Sequence, residues 1–455
     1  MDTKQPNLDT VGTGSSNRRA RRARRAFVVL ALAVLVVVVV LAGALVRYAS
    51  QHAGEREGTS RQTQEFVVRD AEAPADQSQE QAKPEEDEQK DKANVEPVRV
   101  DLMMIGDILM HERVIGTGDN GDGTYSYDHL FSQIGDDISQ ADVAVLNQET
   151  VLGGSAWPYT GYPSFNSPQE VGDAEVAAGF DIVLKATNHT FDYGYDGVHA
   201  ELAYWASKHP EIAVIGAADP NGDGIAPAGG TSPAGPWLFE KDGFTIAMLN
   251  YTDVLNGSVD PSNDARVVSI ADEETIRTDV AAAREKADLV VVFMHWGEEY
   301  ENEPAADERR WAEVLYDCGV DVVIGGHPHV IQPVEVMGDD KRKMLVFWSV
   351  GNFVSTQAGA ANMVGGMVKL SLVKDGDGAR VSTYEFIPVI NQRVVTWHGI
   401  CAYKLSDYTD QLAAESSVSE VDGGRGATRQ WYVDYCASVL GEGFDTETLS
   451  VHGEL

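Results

Sequence analysis

The sequence has few cysteines and few basic residues. Only 3 of its 455 residues are cysteine, which excludes a small disulfide-rich scaffold. Its 35 lysines and arginines are outnumbered by 71 aspartates and glutamates, so the formal net charge is −36. This acidity argues against nucleic acid as a partner, because the phosphates would be repelled. Hydrophobic residues make up 43% of the chain, which excludes a wholly disordered protein, and the length allows two or three domains.

Long uncharged runs are scarce, and the run near the amino terminus stands out. Residues 26–46 carry no charge and are mainly Val, Leu and Ala. At about 1.5 Å per residue, a helix of this length crosses a hydrocarbon core of about 30 Å. The preceding stretch is rich in arginine, which keeps that end in the cytoplasm. We therefore predict a basic cytoplasmic tail (1–26) and a transmembrane signal anchor (27–46), which together make a single-pass cell-membrane protein with an extracellular catalytic domain.

The same segment has a second interpretation as a cleaved export signal. Arg24 and Arg25 loosely resemble a twin-arginine motif, and Ala42-Gly43-Ala44 resembles a small-residue cleavage site. The long unbroken valine core favours the uncleaved anchor.

Residues 47–97 have the composition of a tether. The stretch 71–95 is dominated by Glu, Asp, Gln, Lys, Ala and Pro, so it buries too little apolar surface to offset its ordering entropy. We predict a disordered acidic linker over 47–97, which holds a globular domain (98–400) away from the membrane. Residues 401–455 form a C-terminal extension to which the sequence assigns no function.

From residue 98 onward, short apolar runs alternate with helical patterns. The predicted strands lie at 98–104, 144–146, 182–184, 244–249, 289–294, 320–324 and 345–348, and the clearest helices at 274–286 and 307–318. Short continuous apolar runs are typical of strands that are buried on both faces. This order of elements predicts an α/β fold.

Polar residues of the types that bind metals follow several of these strands. They are Asp107, His111, Asn147, Glu149, Asn188, His189, His295, His327 and His329. Ligands of α/β sheets bind at the carboxyl ends of the strands. Imidazole, carboxylate and amide oxygen suit zinc, iron or manganese, and a carboxylate can bridge two ions about 3.5–4 Å apart. The pattern predicts a site for two divalent metal ions (Mn, Fe or Zn).

Six motifs appear in order between residues 98 and 390. They are GDILMH (106–111), NQE (147–149), TNHTFDYG (187–194), HWGEEY (295–300), GHPHVIQ (326–332) and SVGNF (349–353). In this order they resemble the CapA family, the poly-γ-glutamate capsule biosynthesis proteins, which is similar to the calcineurin-like metallophosphoesterases.

The resemblance implies a four-layer helix–sheet–sheet–helix sandwich of the metallophosphoesterase type, with metals at the strand ends. The implied metal ligands are Asp107, His111, Glu149, Asn188, His295, His327 and His329, with His189 as the general acid. Asp107 and His329 would hold one ion, Asn188, His295 and His327 the other, and Glu149 would bridge the two. His111 departs from the Asp-x-His spacing of the phosphoesterases, since three residues separate it from Asp107. Asp192 is expected to shape a turn.

Three functions are open at this stage. The first is an external metal-dependent hydrolase or transferase that acts on an anionic polymer such as poly-γ-glutamate. The second is a metallophosphoesterase that acts on an extracellular phosphate ester. The third is a non-catalytic membrane-tethered scaffold that guides polymer export or assembles polymer synthase subunits. Turnover of an aryl phosphate, cleavage of γ-glutamyl linkages and partner binding without metal would distinguish them.

Overall fold

The computed structural model describes residues 96–221, 225, 231–232, 235–257, 260, 264–394, 396–418 and 427–455. The predicted tail (1–26), anchor (27–46) and nearly all of the linker (47–97) lie outside the described residues. Within the described part of the chain, no helix is long and apolar enough to span a bilayer.

The described residues form seventeen strands and eight α-helices, besides short 3-10 turns. The strands are β1 (Val98–Ile108), β2 (Val143–Gln148), β3 (Ile182–Leu184), β4 (Ala213–Ile215), β5 (Thr231–Ser232), β6 (Trp237–Lys241), β7 (Phe244–Thr252), β8 (Leu289–His295), β9 (Val322–Gly326), β10 (Val334–Asp339), β11 (Arg342–Phe347), β12 (Asn352–Val354), β13 (Val364–Asp375), β14 (Gly378–Arg393), β15 (Ile400–Lys404), β16 (Phe444–Asp445) and β17 (Ser450–Glu454). The helices are α1 (Glu112–Thr117), α2 (Gly135–Ser139), α3 (Glu170–Ala178), α4 (Gly194–Lys208), α5 (Glu273–Arg284), α6 (Ala306–Cys318), α7 (Asp410–Glu415) and α8 (Arg429–Leu440).

The strands form two mixed sheets. The larger sheet has the order β16-β17-β14-β13-β1-β2-β3-β4-β5, with β12 beside β1 and β15 beside β14. Strands β1 to β4 are parallel to one another. The smaller sheet has the order β10-β11-β9-β8-β7-β6, and its strands β7, β8 and β9 are also parallel. The predicted α/β class is confirmed.

Alternating side chains place the two sheets face to face and the helices outside. On β1, Leu102 and Met104 belong to one core cluster together with Met248 and Val291 of the smaller sheet. The intervening residue Met103 belongs to a second cluster, which includes apolar residues of α3 and α4. A third cluster joins the other face of the smaller sheet to α5 and α6. Each fully buried aliphatic side chain in these clusters contributes about 1.5–3 kcal/mol, and the layers run helix–sheet–sheet–helix.

The C-terminal residues join the larger sheet. Strand β15 pairs with β14, and β17 pairs with the same strand at 383–386. Helix α8 begins at a Thr428 side chain that accepts a hydrogen bond from the Trp431 backbone N–H, and it packs Tyr432 and Cys436 into the core between the sheets. The predicted extension (401–455) is therefore bonded to the same sheet that carries β1.

Candidate metal centre

The carboxyl ends of parallel strands from both sheets meet at one site. Asp107 lies near the end of β1, and Glu149 directly follows β2. His295 is the last residue of β8, and His327 follows β9. All four side chains are buried. Residues separated by up to 220 positions in the sequence are thus brought together because their strands end at the same edge.

Glu149 lies at the centre of this site. Its carboxylate is fully buried, and neither oxygen has a hydrogen-bond partner. Its Oε1 lies 3.7 Å from His329 Nε2, 3.9 Å from His295 Nε2 and 4.0 Å from His189 Nε2. Burial raises the pKa of Glu149 well above its usual value. A buried carboxylate without partners is costly unless a cation accompanies it, so the arrangement fits a bound metal.

The first candidate group of ligands consists of Asp107, Glu149 and His329. Their ligand atoms all lie within 4.8 Å of one another, and His329 Nδ1 is 3.5 Å from Asp107 Oδ2. Two donors orient the Asp107 carboxylate, the Asn147 side-chain amide at 2.7 Å and the His327 backbone N–H at 3.1 Å. Burial disfavours charge on His329, but the carboxylates of Glu149 and Asp107 outweigh it and raise its pKa to about 9.

The second candidate group shares Glu149 with the first. Glu149, His295 and His327 place their ligand atoms within 4.8 Å of one another. His295 Nε2 also lies 2.9 Å from Asn188 Oδ1, so the amide oxygen and the ring nitrogen converge. Burial lowers the pKa of His295 well below its usual value and that of His327 to about 4. Both rings are therefore neutral, which is the form that binds metals.

The turn that carries His327 and His329, one histidine from each candidate group, is strained. His327 and His329 have φ angles of 95° and 58°, a conformation that costs non-glycine residues about 1–3 kcal/mol each and is concentrated at functional sites. Gly326 precedes them, and a Cβ there would lie 2.7 Å from Asp107 Oδ1. A glycine at this position allows the turn to approach the Asp107 carboxylate.

His111 lies at the edge of the site. It precedes α1, its side chain is only partly buried, and its ring packs edge-on against Phe165 with centroids 5.2 Å apart. Among the described residues, it is in neither of the two groups that share Glu149. Burial lowers its pKa to about 4. Its role as a metal ligand stays a prediction.

His189 and Asp192 form a pair that the sequence did not reveal. His189 Nδ1 lies 2.7 Å from Asp192 Oδ2, which also accepts a hydrogen bond from the Phe165 backbone N–H at 2.7 Å. The Phe165 ring packs edge-on against the imidazole, with centroids 4.7 Å apart. A carboxylate at Nδ1 fixes the tautomer and leaves Nε2 facing Glu149. Asp192 therefore orients His189 in addition to shaping the turn after it, and the three-residue spacing in the NHTFD sequence was the available signal.

A buried lysine supports the backbone on both sides of Glu149. Lys185 Nζ donates to the carbonyl oxygens of Gln148 at 3.0 Å and Thr150 at 2.9 Å. It also pairs with Glu201 Oε2 at 3.1 Å, and both side chains are almost fully buried. Thr187 Oγ1 donates to the Glu149 carbonyl at 3.0 Å. Three of these bonds fix the segment that aims the Glu149 carboxylate, and the pair with Glu201 holds the lysine in place.

Replacing Lys185 by methionine is expected to destabilise the protein by about 3–5 kcal/mol, because Glu201 is left as a buried charge without its partner. Urea unfolding of the full chain measures this loss. The double variant Lys185→Met/Glu201→Gln removes both charges and should regain much of the stability. Lys241→Met is the control, since the Lys241–Asp142 pair is about one-third exposed and such pairs contribute about 0–1 kcal/mol. A double variant as unstable as Lys185→Met would contradict this explanation.

Metal binding is expected to weaken as the pH falls. The His329 pKa of about 9 in the metal-free protein means that an entering ion must displace a proton at neutral pH. The apparent affinity then falls by about tenfold per pH unit below about 9 for each proton displaced. Calorimetric titration with Mn²⁺ from about pH 6.5 to about pH 8.5, in buffers of different ionisation enthalpy, counts the released protons. An affinity independent of pH would show that His329 carries no proton for the entering ion to displace.

Comparison with known proteins gives relatives for the domain that carries this site. Residues 101–357 match the family model described as "Bacterial capsule synthesis protein PGA_cap". Over 200 residues, the chain is 32% identical to the PGA biosynthesis protein CapA of Bacillus subtilis (strain 168), covering 44% of this chain and 49% of that protein. Over 288 residues, it is 26% identical to the capsule biosynthesis protein CapA of Bacillus anthracis, covering 61% and 65%. The chain thus spans about half of the first relative and under two-thirds of the second.

Two solved structures are also similar. The NAD nucleotidase of Haemophilus influenzae has a TM-score of 0.42 and 15% identity, covering 77% of this chain and 58% of that chain. A hypothetical protein from Thermus thermophilus has a TM-score of 0.37 and 18% identity, covering 63% and 98%.

Proposed function

Because the chain belongs to the family of bacterial capsule synthesis proteins that the six motifs predicted, we propose that it acts in the synthesis, export or anchoring of a capsular polymer such as poly-γ-glutamate. In this proposal it is a metal-dependent hydrolase or transferase with a fold of the metallophosphoesterase type. The apolar segment 27–46 anchors it in the cell membrane, and the catalytic domain lies outside the cell. The names of the two Bacillus relatives, one a PGA biosynthesis protein and the other a capsule biosynthesis protein, support this proposal.

The observation that carries the enzymatic proposal is the buried Glu149 carboxylate, which has no hydrogen-bond partner and is shared by two groups of ligand atoms. We propose that Asp107, Glu149 and His329 hold one divalent ion, and that Glu149, Asn188, His295 and His327 hold a second. Bound divalent ions would supply Lewis-acid polarisation of the scissile group and a water of lowered pKa. Manganese, iron and zinc all suit this set of donors.

His189 is the proposed general acid. Its Nδ1–H donates to Asp192, so Nε2 faces the site and lies 4.0 Å from Glu149 Oε1. The Asn256 side chain lies 3.4 Å from the same Nε2. The ring that Asp192 holds in this orientation can pass a proton from Nε2 to the leaving group of a substrate held between His189 and Glu149.

The His189–Asp192 pair also supports the second candidate, a phosphoesterase that acts on an extracellular phosphate ester, because an alkoxide leaving group needs the same proton. Purified full-length chain should be incubated with Mn²⁺ and offered either poly-γ-glutamate or an aryl phosphate. Release or transfer of γ-glutamyl units supports the first function, and turnover of the aryl phosphate alone supports the second. A chain that binds polymer synthase subunits equally well without metal and turns over neither substrate would be the non-catalytic scaffold.

A further inference from the structure

An exposed carboxylate lies on the solvent side of the buried ligands. Glu299 belongs to a third group, in which a carboxylate oxygen and the ring nitrogens of His327 and His329 all lie within 4.8 Å of one another. Both histidines are buried, whereas Glu299 is exposed. His327 belongs to one of the two groups that share Glu149, and His329 belongs to the other. Glu299 therefore lies next to a histidine of each group, on the side of the site that faces solvent.

The backbone holds the Glu299 loop against the histidine turn. The Tyr300 backbone N–H donates to the Pro328 carbonyl at 2.8 Å. Tyr300 has a φ of 71° and Gly297 a φ of 91°, so the chain bends sharply on both sides of Glu299. Glycine adopts such a φ freely, but for Tyr300 it is strained and persists only where the surrounding contacts determine the conformation.

Side chains also surround the Glu299 loop. Burial, and next the Glu299 carboxylate, raise the pKa of the Tyr300 hydroxyl, which accepts a hydrogen bond from the Gln357 side-chain amide at 3.3 Å. His327 Nδ1 is buried and has no hydrogen-bond partner, so one ring nitrogen of this histidine remains available for a cation. The neighbouring Glu298 is equally exposed but is in none of the three groups.

We infer that Glu299 is an additional metal ligand, which closes the open side of the site and gives way to an anionic oxygen of the substrate. This inference rests on the proposed metal site and adds a ligand that the six-motif resemblance does not supply. An exposed glutamate on a loop changes rotamer at small cost, whereas the buried ligands are fixed by packing. Glu299 is therefore the member of the set that a substrate oxygen can displace.

The test compares Glu299→Gln with Glu298→Gln in the full chain. The two variants lose the same charge from the same exposed loop, so the difference between them isolates the ligand role from general electrostatics. Calorimetric titration with Mn²⁺ should show an affinity about tenfold or more below that of Glu298→Gln, because loss of even an outer contact to a metal site costs about 10–100-fold. Titration of the Mn²⁺-loaded proteins with inorganic phosphate should show tighter binding to Glu299→Gln than to Glu298→Gln.

Equal Mn²⁺ affinities of the two variants would overturn the ligand role, and equal phosphate affinities would overturn the displacement. Glu149→Gln, measured in parallel, separates these failures from failure of the proposed function. If Glu149→Gln loses Mn²⁺ while Glu299→Gln behaves like Glu298→Gln, only the role of Glu299 is wrong. If the wild-type chain binds no Mn²⁺, the proposed metal site itself is wrong.

Discussion

Glu149→Gln is expected to lose nearly all metal binding. The substitution keeps the volume of the side chain but removes the charge that both ligand groups share. Loss of contacts that merely support a metal ligand costs about 10–100-fold in affinity, so the loss of a bridging ligand should cost about 100-fold or more. Metal analysis by mass spectrometry, after dialysis of the full chain against Mn²⁺, should fall from about two ions per wild-type chain to near zero.

Glu175→Gln provides a matched control. Glu175 is also buried, neither of its oxygens has a hydrogen-bond partner, and burial raises its pKa well above the usual value. It lies on α3 and, among the described residues, belongs to none of the candidate metal groups. The Glu175→Gln protein should keep the wild-type metal content. Equal metal loss in both variants would mean that Glu149 acts through folding rather than as a ligand.

His189→Ala is expected to lower turnover by about 10²–10⁴-fold, the usual contribution of a general acid, while metal content stays at the wild-type level. Turnover and metal content should respond differently because His189 faces Glu149 but, among the described residues, belongs to none of the candidate metal groups. Initial rates on an aryl phosphate and on poly-γ-glutamate measure the first effect, and metal analysis measures the second. A smaller loss on a substrate whose leaving group needs no proton would identify the step that His189 assists.

Asp192→Asn tests whether the carboxylate acts through His189. The amide keeps the size of the side chain but can also donate a hydrogen bond, so it no longer holds Nδ1 of His189 as the donor, and kcat should fall while KM and metal content stay near their wild-type values. Thr160→Ala is a control at the same rim, because Thr160 bonds to the Tyr193 hydroxyl and the Ser164 carbonyl and not to His189. An unchanged kcat in Asp192→Asn would show that the carboxylate does not act through His189.

Local sequence patterns predicted much of the central fold. The runs at 182–184 and 289–294 correspond to β3 and β8, and the helical pattern at 307–318 corresponds to α6. These elements were recognisable because they are apolar on both faces or amphipathic over three turns. The C-terminal strands were missed, because β15 and β17 are strands only through pairing with β14, which lies far from β17 in sequence.

The candidate site was predictable where a ligand-type residue lies at the end of a strand or directly after it. Glu149 and His295 are examples, since parallel strands bring their ends to one edge. The supporting residues were not predictable in this way. Lys185 also directly follows a strand, β3, yet it is buried and donates to the backbone carbonyls on both sides of Glu149. Its role depends on Glu201, which lies on another element and has no fixed sequence relation to it.

The candidate ligands come from both sheets, and this has a consequence for the whole molecule. Asp107 and Glu149 lie at the ends of strands of the larger sheet, whereas His295 and His327 lie at the ends of strands of the smaller one. Ions bound here would hold the two layers together at their common edge. At a free ion concentration of about 100 times Kd, such binding adds about 2.7 kcal/mol to the folded state. The supply of transition metals in the compartment where the chain matures would then govern how much of it survives proteolysis.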